Sequence, residues 1–158
     1  MKLFKNIKKW LENQEHLFYL FLLILIVPNV ILCFTEPMPV VAKVCNVLLP
    51  FAFYYLLMTL SRNCGKMFWI LFLFIFFGAF QIVLLYLFGQ SIIAVDMFLN
   101  LVTTNSSEAM ELLDNLVPAL VSVIILYIPA LILAAISIIK KRKLSPEFIR
   151  RERKKAWI

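Results

Sequence analysis

The chain has a single histidine, His16, and only three cysteines, Cys33, Cys45 and Cys64, with no CxxC pair. A zinc site needs three or four Cys, His or carboxylate ligands, usually at short recurring intervals. No metal site is therefore expected within this chain. The cysteines read as small apolar side chains. A Cys33–Cys45 disulfide is geometrically possible, but nothing in the sequence supports it. His16 stands between Glu15 and Leu17 at the start of an apolar run. It lacks the buried polar partner that a proton relay needs, so it reads as an interfacial, solvated side chain.

Polar residues are scarce too. The 158 residues are 63% hydrophobic and 15% aromatic, with a mean hydropathy of +0.94. Soluble domains are roughly 45–50% apolar. So short and apolar a chain cannot hide its surface in a water-soluble core, so the bilayer must be its solvent. The fold expected is all-α, a polytopic transmembrane helical bundle. The net charge of +7 does not argue for a nucleic-acid partner, because the charges cluster at the two ends beside apolar runs. There they act as membrane-topology signals. No internal repeat or low-complexity segment appears.

Residues 1–16 are basic and amphipathic. Leu3, Phe4, Ile7, Trp10 and Leu11 recur at helical spacing, with Lys2, Lys5, Lys8 and Lys9 on other faces. This suits a helix lying on the cytoplasmic leaflet. No small-residue cleavage site follows the first apolar run, which ends in Cys33-Phe34-Thr35-Glu36-Pro37. An uncleaved signal anchor is the better reading.

Four spans are expected, at 17–34, 40–60, 67–88 and 117–139. At about 1.5 Å per residue each is long enough to cross the hydrocarbon layer. Pro28-Asn29 interrupts the first and is expected to kink it. Lys43, Asn46 and Pro50 crowd the outer half of the second, which is either interfacial or faces protein. Ser61 to Lys66 is a tight polar turn. The third span is almost unbroken Phe, Leu and Ile, with Gly78, Ala79 and Gln81 as its only interruptions. Small residues let helices approach closely in a membrane, and Gln81 suits an interhelical hydrogen bond. The fourth carries Pro118 and Pro129.

Placing both termini and the Ser61–Lys66 turn in the cytoplasm puts all Lys and Arg there except Lys43. The opposite orientation contradicts the positive-inside rule. Residues 90–116 are then extracytoplasmic. Residues 140–156 form a basic cytoplasmic segment, and the following Ala156-Trp157-Ile158 looks like the entry to a fifth span. A truncated domain is expected on that ground.

The segment from Gln90 to Leu116 contains no Lys or Arg, but it carries Asp96, Glu108, Glu111 and Asp114. Asn100, Thr104 and Glu108 recur every four residues. On one continuous helix they form a slightly drifting polar stripe. Met97, Phe98, Leu101 and Val102 make an apolar face. A carboxylate, a hydroxyl and an amide aligned at the membrane surface suit a zwitterionic lipid headgroup. Glu108 would pair with its ammonium, while Asn100 and Thr104 donate to its phosphate oxygens. A competing reading is local. Asn105 followed by Glu108 resembles a capping box, which would start a new helix and break the stripe. Glu108, Glu111 and Asp114 could equally form a solvated face. Asn105-Ser106-Ser107 matches a glycosylation acceptor, a weak pattern.

Four spans with a long third connection, carrying Asp96-Met97-x-x-Asn100-x-x-x-Thr104-x-x-x-Glu108-Ala109, resemble the amino-terminal membrane domain of phosphoethanolamine transferases. That family decorates lipid A in lipopolysaccharide and includes the mobile colistin-resistance enzymes. The resemblance spans nearly the whole chain. It implies five spans in the bacterial inner membrane and a C-terminal periplasmic catalytic domain of alkaline-phosphatase type, with zinc and a threonine nucleophile. The donor would be phosphatidylethanolamine, held by Asn100, Thr104 and Glu108. No catalytic residue, metal ligand or cofactor falls within this chain, which should be inactive by itself. Thr103 and Thr104 are not expected to be the nucleophile. The alternative is a complete four-span scaffold or transporter subunit. The absence of ionisable residues from spans three and four counts against a transporter. A third reading is a membrane sensor whose basic tails bind anionic lipid or a cytoplasmic partner. An open reading frame continuing past Ile158 into a domain rich in His, Asp and Glu would separate the first two.

Overall fold

A computed structural model describes residues 10–88 and 106–156, with side chains over 10–83 and 117–156. The described elements are helices α1 (Gln14–Thr35), α2 (Val40–Met58), α3 (Cys64–Ile70), α4 (Phe72–Phe88), α5 (Ser106–Ile139) and α6 (Pro146–Ala156). Residues 10–12 are also helical, and no strand occurs among the described residues. Three helices are long and apolar enough to cross a membrane, or four if the bent α3–α4 pair is one span.

Local chemistry sets most boundaries. Asn13 caps α1, its side chain accepting from the Glu15 amide at 2.9 Å. This satisfies one of the donors that a helix start leaves free, and Glu15 in the first turn complements the dipole. Asn63 caps α3 in the same way, accepting from the Lys66 amide at 2.9 Å. α3 therefore begins at Cys64, inside the turn predicted for 61–66. Pro28 leaves α1 continuous to Thr35.

Two boundaries differ more. The apolar run expected as the third span breaks at Leu71, and its arms α3 and α4 meet at 61°. Neither Pro nor Gly stands at the break, so no local signal marked it. The two arms are held by different close approaches, Gly65 on α3 and Gly78 on α4. The fourth span, expected to start at 117, is the continuation of a helix that begins at Ser106. Pro118 lies inside it. Ser122 Oγ donates to the Pro118 carbonyl at 2.9 Å, so a side chain serves the backbone beside the proline.

Apolar side chains gain nothing by leaving lipid for other apolar side chains, so packing and close approach hold such a bundle together. α5 presents Ala130, Ala134 and Ser137 as a buried small-residue row. Gly65 of α3 packs onto it. A Cβ on Gly65 would overlap the Ala134 carbonyl oxygen and lie 3.0 Å from Ser137 Cβ. Gly78 of α4 fits between α1 and α5, where an added Cβ would lie 2.9 Å from both Pro28 Cγ and Tyr127 Oη. α1 supplies the largest buried set, including Leu17, Phe18, Phe21 and Leu25. Phe21 stacks on Phe68 of α3 at 4.4 Å between ring centroids. α2 packs on α1 and buries only Tyr54 and Met58, leaving Val40, Val41, Leu48 and Leu49 outside.

The end of α5 closes unusually. Arg142 N donates to the Ser137 carbonyl at 3.1 Å and Lys141 N to the Ile138 carbonyl at 2.9 Å. This is the paired pattern of a Schellman cap. Lys141 occupies the left-handed position with φ 48°, where glycine is normally favoured. Lys141→Gly is expected to raise stability by about 0.5–1 kcal/mol, read from thermal unfolding in lipid nanodiscs. A drop in midpoint would show that the lysine side chain stabilises the cap by more than its backbone conformation costs.

Candidate functional site

Asn100 and Thr104 lie outside the described residues, as does Asn105 of the competing cap reading. Glu108 belongs to the first turns of α5, and its side chain lies outside the described set. The polar stripe is therefore represented by one member. That member sits on the same helix that continues into a span.

Three polar constellations occur among the described side chains. The first lies where α1, α3 and α5 meet. Gln14 Oε1 accepts from Ser137 Oγ at 2.6 Å and from Cys64 Sγ at 3.4 Å. All three residues are buried, and Gln14 Nε2 has no partner among the described residues. Cys64 is thus a donor in an interhelical network, beyond the small apolar role expected of it.

The second lies at the opposite end of the α1–α2 pair. Asn46 Nδ2 donates to the Asn29 carbonyl at 2.8 Å, and Asn29 Nδ2 donates to Asn46 Oδ1 at 3.3 Å. Cys33 Sγ donates to the Lys43 carbonyl at 3.4 Å. Of the two readings for the outer half of the second span, Asn46 follows the one that faces protein. Cys33, Cys45 and Cys64 are all free thiols.

The third fastens α6 to the bundle. Phe148 and Ile149 are buried, and Phe148 meets Phe18 edge-on at 5.4 Å. Glu152 is 0% exposed and accepts from Tyr55 Oη of α2 at 2.5 Å. Its other oxygen accepts from Arg151 at 2.9 Å and Lys155 at 3.0 Å. Burial pushes the carboxyl pKa up. Hydrogen bonds from Tyr55, Lys155, Arg151 and Tyr19 outweigh this and bring it down to about 2. The same contact with Glu152 raises Arg151. Arg151 also lies 5.2 Å over the Phe148 ring. Arg153 donates to the Thr59 carbonyl at 2.8 Å. Between α5 and α6, Leu144 N donates to the Arg62 carbonyl at 2.7 Å, and Arg142 approaches Glu12 at 3.6 Å. The basic segment 140–156 is thus a turn and a packed amphipathic helix. Trp157 and Ile158, the expected entry to a fifth span, lie outside the described residues.

Glu152 was missed from the sequence, although it is the only acid within Arg150–Lys155. A lone carboxylate inside a basic run is a usable signal. Ala130-x-x-x-Ala134 was another, a small-residue spacing of the kind that marks membrane helix contacts. His16 is part-exposed. It stacks on Trp10 at 4.9 Å, and its Nδ1 lies 3.3 Å from the Trp10 carbonyl. The Gln81 side chain makes no hydrogen bond among the described residues. No three His, Cys, Asp or Glu side chains converge to hold a metal among the described residues.

The fold defines an all-helical protein built around helices able to cross a membrane. No family model, curated protein or solved structure matches the chain.

Proposed function

We propose that the chain is the membrane and donor-lipid-binding domain of a phosphoethanolamine transferase. In this reading it crosses the bacterial inner membrane four times, with both ends in the cytoplasm and residues 90–116 in the periplasm. The observation that carries it is the continuity of α5. Its 34 residues extend about 51 Å, well beyond a hydrocarbon layer of about 30 Å. In this reading the turns that carry Glu108 lie on the same helix as the fourth span, beyond the length that a span requires. A carboxylate there can meet the ammonium of phosphatidylethanolamine at the membrane surface. Asn100 and Thr104 supply donors for the phosphate oxygens. Such contacts position the donor for a catalytic domain working above the membrane.

The test is labelling of the chain, reconstituted in vesicles, by phosphatidylethanolamine bearing a photoreactive group on its acyl chain close to the headgroup. Labelling is expected near residues 100–108. Asn100→Ala, Thr104→Ala and Glu108→Ala are each expected to lower it by about fivefold, roughly 1 kcal/mol for a lost polar contact, with membrane insertion unchanged. Equal labelling of all three variants removes the proposed site.

The broken third span favours a second reading, a scaffold or transporter subunit, since discontinuous helices occur in transporters. The residues at the break, Ile70, Leu71 and Phe72, are apolar and offer no ligand. This reading predicts no preference for the ethanolamine headgroup over choline in the same labelling experiment.

A further inference from the structure

Among the described residues, eleven Lys and Arg and four Glu gather at one end of the bundle, where α1 and α3 begin and α2 and α5 end. The structure divides these cations by use. Arg62, Arg142, Arg151, Arg153 and Lys155 bond to backbone carbonyls or to Glu12 and Glu152. Lys66, Lys140, Lys141, Lys143, Arg150 and Lys154 are exposed, and their side chains make no hydrogen bond or ion pair among the described residues. The arginines, whose planar forks suit fixed acceptors, hold the fold together. Five of the six free cations are lysines, flexible point charges suited to mobile phosphates.

These cations border exposed apolar surface. Lys140 directly follows Ile139, which is 78% exposed, and Lys66 precedes the exposed Trp69 and Ile70. A cation at the rim of a lipid-facing surface stands at headgroup depth. α6 cannot insert its apolar face into lipid, because Phe148 and Ile149 are already buried in the bundle. It offers Arg150 and Lys154 outward, one helical turn apart. Lys141 adds a charge at a backbone position where glycine is the easier residue.

We propose that this rim binds the headgroups of anionic phospholipids. Net negative charge is the feature recognised, because a zwitterionic headgroup brings its own ammonium and cancels the attraction. A soluble polyanion is the less favoured occupant, since the rim is continuous with the exposed apolar surface at Ile139, Trp69 and Ile70, which suits lipid. The inference is independent of the donor-lipid reading.

Native mass spectrometry of the full chain released from nanodiscs of equal phosphatidylglycerol and phosphatidylcholine tests it. Phosphatidylglycerol adducts are expected to exceed phosphatidylcholine adducts about tenfold, given roughly fivefold per lysine near an anionic surface and partial salt screening. Lys140→Gln/Lys141→Gln/Lys143→Gln/Lys154→Gln should bring the two lipids to parity. The four corresponding Lys→Arg changes should keep the preference, as should Lys43→Gln at the opposite end. Should the glutamine variant not fold, Lys140→Gln/Lys143→Gln is scored the same way and should lower the preference at least threefold. Absence of preference in the native chain overturns the proposal, and so does its survival in the glutamine variants. Displacement of the lipid by millimolar inorganic phosphate assigns an ion site instead. Displacement by a single-stranded oligonucleotide assigns a soluble polyanion, and either result overturns the proposal.

Discussion

Gly65→Ala is expected to destabilise the bundle by about 3 kcal/mol, the upper end of what overpacking costs. The added Cβ meets the Ala134 carbonyl, which is backbone held within α5 and cannot swing aside. Either α3 and α5 separate or α3 rotates. Cys64 is the adjacent residue, so both adjustments disturb its bond to Gln14 and the neighbouring Ser137 bond. Gly78→Ala is a milder change, because its neighbours are a proline ring and the tip of Tyr127. Thermal unfolding in nanodiscs, followed by helical circular dichroism, compares the two. A Gly65→Ala midpoint within a degree of the native value would show that the α3–α5 crossing is not tight.

Glu152→Ala is expected to cost about 2–3 kcal/mol and to release α6. The figure follows from losing a charged hydrogen bond at a buried acceptor. Arg151 and Lys155 are exposed and regain water, so their ion pairs add little. Tyr55, left without its acceptor at this contact, carries most of the penalty. Release of α6 exposes the backbone between Arg150 and Lys155, so trypsin should cut there about tenfold faster. Cleavage at the native rate would mean that Phe148 and Ile149 hold the helix without Glu152.

The same residue gives a pH signature. Its folded value, about 2, lies below the ordinary 4.5. A carboxylate depressed on folding stabilises fully above the unfolded value, and loses that contribution as pH falls through the folded one. The stability difference between the native chain and Glu152→Gln should therefore be constant above about pH 5 and shrink between 4.5 and 2. A difference that stays flat across that window would show that the carboxylate is not held ionised by its partners.

The long apolar runs were sufficient to specify helices and a membrane-like composition, because backbone polar groups in lipid must be satisfied within the segment. Spans near 17–34, 40–60 and 117–139 correspond to α1, α2 and the second part of α5, with ends shifted by a few residues. The break at Leu71 could not be found in the sequence. Its neighbours are as apolar as the rest of the run, and the arms are set by Gly65 and Gly78 meeting other helices. The continuity of α5 through Pro118 was also hidden, since proline usually marks a boundary.

The candidate headgroup residues came from their spacing and from the family resemblance, and of the three only Glu108 falls on a described helix. The residues that tie the basic end together were invisible for a different reason. Gln14 and Ser137 are 123 positions apart, and Tyr55 and Glu152 are 97 apart. By itself the sequence determined composition, helix content and the clustering of charge, all properties of neighbouring residues. Which cations are consumed by the fold and which remain free was decided only by tertiary structure, because a charge finds its partner across helices, not along the chain.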